Sequence, residues 1–404
     1  MIGRLTPECG GRDTALDAMP SAHRPSRNPG ADSENAGFRM IRDVLTLAHP
    51  TVLYTAVSSV EPIHSVLLVQ SGAMGDCVLQ LRIAEAIRRA LPSARIAWLG
   101  RDEWVPIAQR CASVDKALGL DALAAHRLFQ PGTETEADLA DKLGGFDLII
   151  NGLTGPALPA GARLRGLARR AAISYETKPR DHVTLHICRQ WLDQISAQAR
   201  PVSSELAAAV EHHAASLEAQ AGVLLRMLAS DLCEASMRLL AARVDANNRA
   251  GRLILVHPGS GGPNKCWPLD RYAALVEILS ARGLTPVVVA GPAEMERWDK
   301  QLRALGGRCV LFADPPLSVL MGLAAVATAY VGNDAGPTHL AAAVGAPTLA
   351  LFGPTDPRVW RPLGPAVKVL RSAEHERDWQ DVAPETVAAR VSELHRQDRP
   401  ASPR

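Results

Sequence analysis

Short apolar runs, each ending in a glycine-rich loop, recur along this chain and alternate with helical patterns. The first is "SVLLVQ" (65–70), followed by the loop "SGAMGD" and by apolar residues at 79, 83, 84, 87 and 91, which predict one buried face of a helix over 77–90. "ARIAWLG" (94–100) and "FDLIING" (146–152) are further runs of strand length. Runs apolar throughout, rather than alternating, suit strands covered on both faces, and strands alternating with helices predict a parallel, doubly wound sheet.

The pattern changes near Pro201. Residues 205–247 are almost all helix formers and predict a helical bridge. A second strand–loop–helix unit starts at Arg252 with "RLILVHPGSGGPNKCWPLDRYAALVEIL". "LTPVVVAGPAE" (284–294) repeats the strand-to-loop step, and "ATAYVGNDAGPTHLAAAVGAPTLALFGPTDP" (327–357) adds two strands around a short helix. A last helix is predicted over 384–395. The resulting division is an extension over 1–38, a first α/β domain over 39–205, a bridge over 206–250, a second α/β domain over 251–370, and a helix and tail over 371–404. The extension is rich in Gly, Pro, Ser and charge and is expected to be disordered. Two such sheets facing a cleft would present to it the loops that follow their strands, where open α/β sheets bind ligands.

Composition narrows the class. Of 404 residues, 47% are hydrophobic and 21% charged, with a formal charge of +2, which suits a protein with sizeable cores and gives no general attraction to nucleic acid. Cys9, Cys77, Cys111, Cys188, Cys233, Cys266 and Cys309 are scattered without a CxxC, as expected of reduced cytosolic thiols rather than disulfides or zinc. No apolar stretch reaches the ~18 residues of a spanning helix. Residues 44–60 come nearest but contain His49, Pro50 and several hydroxyls. The expectation is a cytosolic protein able to touch a membrane surface.

Chemistry concentrates in the loops. In "SGAMGD", Asp76 stands where a helix N-terminus prefers an acid. It is either a cap or a base that takes a proton from an attacking hydroxyl. "HPGSGGPNKCWP" offers Ser260, the N–H of Gly261 and the ammonium of Lys265 to a diphosphate. "VGNDAGPTHLAAA" places Asp334, Ala335, Gly336 and His339 at a helix start, and Glu294 closes "VVVAGPAE", where an acid can accept from ribose hydroxyls. "RLRGLARR" puts Arg165 and Arg169 on one face at helical spacing, and with Lys178 and Arg180 forms a candidate surface for an anionic acceptor or lipid. No D-x-D spacing and no His, Cys or carboxylate cluster with ligand spacing occurs, so no metal is expected.

In this order, "VLLVQSGAMGD", "LILVHPGSGGPNKCWPLDRYAALVEIL", "VVVAGPAE" and "VGNDAGPTHLAAAVGAPTLALFGPTDPRVWRPLG" resemble glycosyltransferase family 9, the ADP-heptose:lipopolysaccharide heptosyltransferases. The resemblance implies a GT-B fold, two Rossmann-like domains facing a central cleft. It implies Asp76 as catalytic base facing the acceptor, Lys265 on the phosphates, Glu294 on the ribose, and Asp334, Gly336 and His339 around the donor sugar and diphosphate. It also implies inverting transfer without a required metal or other cofactor, with ADP-heptose as donor and a lipid-linked or polysaccharide acceptor. Contact with the cytoplasmic face of the inner membrane would follow. Gln70 stands where such proteins usually carry Arg or Lys, Cys266 where Arg or His follows the lysine, and Ala335 where a hydroxyl is usual. Three other readings remain open at this point: a nucleotide-sugar epimerase, an NAD enzyme with Asp102 or Glu103 on a ribose, and a non-catalytic nucleotide-sugar-binding relative.

Overall fold

A computed structural model describes residues 62–397 apart from 124, 130–139, 154, 156–157, 245–251, 306–307, 373–378 and 380. These residues lie in one compact unit, Val60–Arg404. The expectations for residues 1–38 and 44–60 fall outside the described residues.

Two wholly parallel sheets form. The first contains β1 (Ser65–Val69), β2 (Arg95–Gly100), β3 (Lys116–Gly119), β4 (Leu148–Asn151) and β5 (Ala171–Ser174) in the order β3-β2-β1-β4-β5. The second contains β6 (Leu253–His257), β7 (Thr285–Ala290), β8 (Val310–Ala313), β9 (Ala329–Asn333), β10 (Thr348–Phe352) and β11 (Val367–Arg371) in the order β11-β10-β9-β6-β7-β8. The winding reverses beside β1 in the first sheet and between β6 and β9 in the second, so the loops after β1, β6 and β9 leave at the switch points.

The apolar strand runs are buried on both faces, and alternate residues enter different cores. Val66 and Leu68 of β1 join one cluster, while Leu67 and Val69 join another. Leu253 and Leu255 of β6 share the cluster of Val66, while Ile254 and Val256 face a third. The shared middle layer holds α1 (Met74–Ala90), whose predicted single buried face proves too modest: nearly every residue from Cys77 to Ile87 is buried. The cause is packing from several sides: the helix Gly336–Ala343 of the second half and the helices Ile187–Ala199 and Ser204–Ser216 all lie against α1.

The long bridge differs from its prediction. Helices Ser204–Ser216 and Ala229–Ala241 are separated by an irregular segment over 217–228. There the N–H groups of Leu224 and Leu225 donate to Ala343 O, and Arg226 N donates to Arg110 O. Hydrogen bonds to both halves replace helical ones, so tertiary pairing overrides local propensity. Two arginines, Arg82 buried and Arg110 half-buried, tighten the same seam. Arg82 donates to Gly222 O (2.8 Å) and Leu363 O (3.0 Å), and Arg110 makes a bidentate pair with Asp231 (2.6 and 2.8 Å). Among the described residues, no helix is long and apolar enough to cross a membrane.

Candidate functional site

The first glycine loop is pinned at several points before it reaches Asp76. Gly72 N donates to Gln70 Oε1 (3.1 Å), and Ala73 N donates to Asp76 Oδ2 (3.1 Å). Asp76 therefore does cap α1, but with one oxygen. Oδ1 has no hydrogen-bond partner among the described residues, and the side chain lines a cavity of about 310 Å³. Cap and base are compatible roles for one carboxylate.

The same cavity receives Ser260, Gly261, Lys265, Asp334, Ala335, Gly336 and His339 from the second half. The halves meet there through glycines: a Cβ on Gly336 would stand 2.8 Å from Met74 Cβ and 3.2 Å from Gly75 N, closer than packed atoms tolerate. Gly336 begins the helix Gly336–Ala343, whose N-cap Ala335 provides no side-chain acceptor and whose second residue is proline. Its N-terminal dipole is thus directed at the cavity without a side-chain cap.

Asp334 is 7% exposed and heavily bonded. Lys265 Nζ and Thr355 Oγ1 each donate to Oδ2 at 2.8 Å, and His339 Nε2 stands 3.7 Å from Oδ1. Burial alone would raise its pKa, but His339 and the Lys265 charge outweigh burial and hold the carboxyl at about 2. The carboxylate is permanently charged and fixes Lys265, whose ammonium keeps two N–H donors for an anion. Ser260 Oγ is spent on Asp334 O (2.8 Å), tying the loops after β6 and β9 together.

Glu294 lines an adjoining cavity of about 660 Å³, which shares Ser260, Gly261, Ala335 and Gly336 with the smaller one. Its Oε2 accepts from Gly291 N (2.9 Å) and lies 3.7 Å from His257 Nε2. Burial pushes its pKa up, yet these partners leave it below the ordinary value. Gly259 is required here, because a Cβ at that position would overlap the carboxylate.

The four basic candidates do not join this constellation. Arg165, Arg169, Lys178 and Arg180 are all exposed, and none lines either cavity. The helix bearing Arg165 ends at Leu167 with Ala168 extended, so Arg169 lies outside it and the two do not share a helix face. Asp102 is engaged elsewhere: its carboxylate accepts from Asp121 N (2.8 Å) and Ala122 N (3.3 Å), and it lines neither cavity. Among the described residues, no group of three metal-ligating side chains stands together.

Residues missed in the sequence prove to organise the site. Asn333 is fully buried, and its Nδ2 donates to Pro258 O (2.7 Å) and Gly259 O (3.1 Å). Its Oδ1 accepts from Trp267 N (2.9 Å) and Tyr272 OH (3.1 Å), so one amide holds both second-half loops. The available signal was a polar residue closing the otherwise apolar run "AYVGN". Thr355, His257 and Trp104 gave no local signal.

The chain resembles known proteins in sequence and in fold. A sequence model of glycosyltransferase family 9 (heptosyltransferase) matches residues 163–386. Lipopolysaccharide heptosyltransferase 3 of Escherichia coli K12 is 25% identical over 303 residues, covering 71% of this chain and 82% of that protein. Lipooligosaccharide heptosyltransferase 2 of Haemophilus influenzae is 38% identical over 121 residues, only 28% of this chain and 35% of that one. The solved structure of the Escherichia coli ADP-heptose lipopolysaccharide heptosyltransferase II superposes with a TM-score of 0.62 at 20% identity, covering 83% of this chain and 99% of its own. That likeness establishes the fold as the GT-B arrangement of two Rossmann-like domains.

Proposed function

The chain belongs to glycosyltransferase family 9, and on that premise we propose that it transfers a heptose from an ADP-sugar to a lipopolysaccharide-core or related glycan. One observation carries the reading: Asp76 from the first half and Lys265, Asp334, His339 and the Gly336 helix start from the second line one cavity. That cavity opens beside a larger one holding Glu294.

In the proposed reaction the nucleoside occupies the larger cavity, with Glu294 accepting from the ribose. The diphosphate lies against Lys265, the Gly261 N–H and the Gly336 helix start. An acceptor hydroxyl attacks the anomeric carbon from the Asp76 side. The new carbon–oxygen bond forms as the anomeric carbon–phosphate oxygen bond breaks, the proton passes to Asp76, and ADP leaves with the bonding electron pair. A single displacement of this kind inverts the anomeric centre. The cationic and dipolar groups are already in place, so they stabilise the developing diphosphate charge without reorganisation. We accordingly expect no required metal. The exposed basic residues of the first half serve the anionic acceptor, and the protein works at the cytoplasmic face of the inner membrane.

Mass spectrometry of products from a panel of nucleotide sugars and lipid A-type acceptors tests the proposal. A heptose mass increment from ADP-heptose is expected, persisting in excess EDTA with at most a modest drop. No increment from any donor would reject transfer. Complete loss in EDTA, restored by one divalent ion, would reject metal independence.

A further inference from the structure

The larger cavity is not built by the second half alone. Met74, Glu103 and Trp104 of the first half form part of its wall. Trp104 is held there by a purpose-shaped turn. Asp102 Oδ1 and Oδ2 fix the 3₁₀ turn Asp102–Trp104 onto the backbone after β3, through Ala122 N and Asp121 N. Gly119 makes room for that carboxylate, since a Cβ there would overlap it. Arg101, paired with Glu103 at 2.9 Å, lies with its guanidinium carbon 6.0 Å from the centre of the indole.

The other edge of the ring points toward the base. Trp104 Nε1 donates to Gly72 O at 3.2 Å. Gly72 packs directly on Asp76, because a Cβ added at 72 would overlap the Asp76 side chain, and the next residue supplies the N–H that caps Asp76 Oδ2. One indole therefore forms a wall of the nucleotide-sized cavity with its ring and anchors the Asp76 loop with its N–H.

We propose that Trp104 is a positioning residue that couples occupancy of the nucleotide cavity to the placement of Asp76. A nucleotide packed on the ring restrains its rotation, and the restrained N–H keeps the Gly72 carbonyl, and hence the Asp76 carboxylate, in register with the neighbouring cavity. The inference rests on the proposed transfer, but its two parts are measured separately. The ring acts in binding, which is read with ADP alone, and the N–H acts in turnover.

The test uses the full chain with Trp104→Phe, which keeps an aromatic wall and loses the donor, and Trp104→Ala, which loses both. Calorimetry with ADP should give a near wild-type Kd for the Phe variant and a Kd raised roughly tenfold for the Ala variant, the usual worth of an aromatic wall against a base. Trp104→Phe should lower kcat about fivefold, as expected for one neutral hydrogen bond, with donor KM within about twofold of wild type. That loss should vanish in an Asp76→Asn background, because a residue acting through Asp76 has nothing left to position. An equal loss in both backgrounds would overturn the coupling, and unchanged ADP affinity in Trp104→Ala would overturn the wall. If wild-type protein transfers no sugar, the proposed function fails, while the ADP measurement still decides whether Trp104 lines a nucleotide site.

Discussion

In the second half, the carboxylates at the strand ends are buried and held by hydrogen-bond partners. Asp334 holds Lys265, Thr355 and His339; Glu294 holds Gly291 N beside His257; and Asn333 ties the loops carrying them. In the first half, Arg165, Arg169, Lys178 and Arg180 are exposed, and Asp76, half-buried, is the one carboxylate of that half lining the smaller cavity. Under the proposed function, the difference follows from what each side would hold. A nucleotide diphosphate of fixed shape rewards a rigid, preorganised set of donors. The proposed acceptor, large, anionic and surface-bound, would be met by solvated cations whose individual contributions are small. On the proposed function, the second half specifies a ligand, while the first brings one base to it.

If that contrast is correct, the two halves should fail differently on mutation. The largest effect belongs to Asp76→Asn, which should leave ADP affinity nearly intact while lowering turnover roughly 10²- to 10⁴-fold, the usual worth of a general base. Wild-type turnover in steady-state assays would reduce Asp76 to a cap.

Next in size is the seam between the halves. His186 is fully buried; its Nδ1 accepts from Cys188 N (3.2 Å), and its Nε2 donates to Arg361 O across the seam (2.9 Å). Burial lowers its pKa to about 4 from 6.5, so between those values the unfolded chain binds a proton that the folded chain refuses. The stability of the neutral form is complete above pH 6.5 and is lost as pH falls toward about 4. Denaturant titrations should show wild type losing about 3 kcal/mol more than His186→Gln over that window. Parallel curves for the two proteins would remove His186 from the account.

Lys265→Ala should weaken ADP binding by about 1.5–3 kcal/mol, the range for charged hydrogen bonds, and leave adenosine binding unchanged. Equal losses for nucleoside and nucleotide by calorimetry would move Lys265 away from the diphosphate. The smallest effects are expected on the acceptor side. Alanine at Arg165, Arg169, Lys178 or Arg180 should each raise acceptor KM about two- to fivefold, as exposed ion contacts do, with ADP affinity untouched. A changed ADP affinity in any of these variants would erase the distinction between the halves.

The same contrast explains what could be read in the sequence. Every strand recognised there is internal to its sheet, such as "LILVH" and "TPVVVA", where burial on both faces imposes an apolar run. The four that were missed, "KALG", "AAIS", "VLFA" and "VKVLR", are the edges of the two sheets, partly exposed and mixed in composition. Asp76, Lys265, Glu294, Asp334 and His339 were visible because glycine loops bring their backbone and side chains to strand ends. Asn333, Thr355 and Trp104 were not, because their partners lie in other loops. The helical bridge was misread for the same reason, since the partner of Leu224 and Leu225 is Ala343, more than a hundred residues away in sequence.

The proposed reaction is one displacement, in which a single base drives an acceptor hydroxyl against a donor held by the opposite half. The anomeric configuration of the product reports on it directly. Nuclear magnetic resonance of the glycan formed by wild-type protein from ADP-heptose should show the configuration opposite to that of the donor. Retention would mean two displacements through a covalent or ion-pair intermediate and would contradict the role given to Asp76.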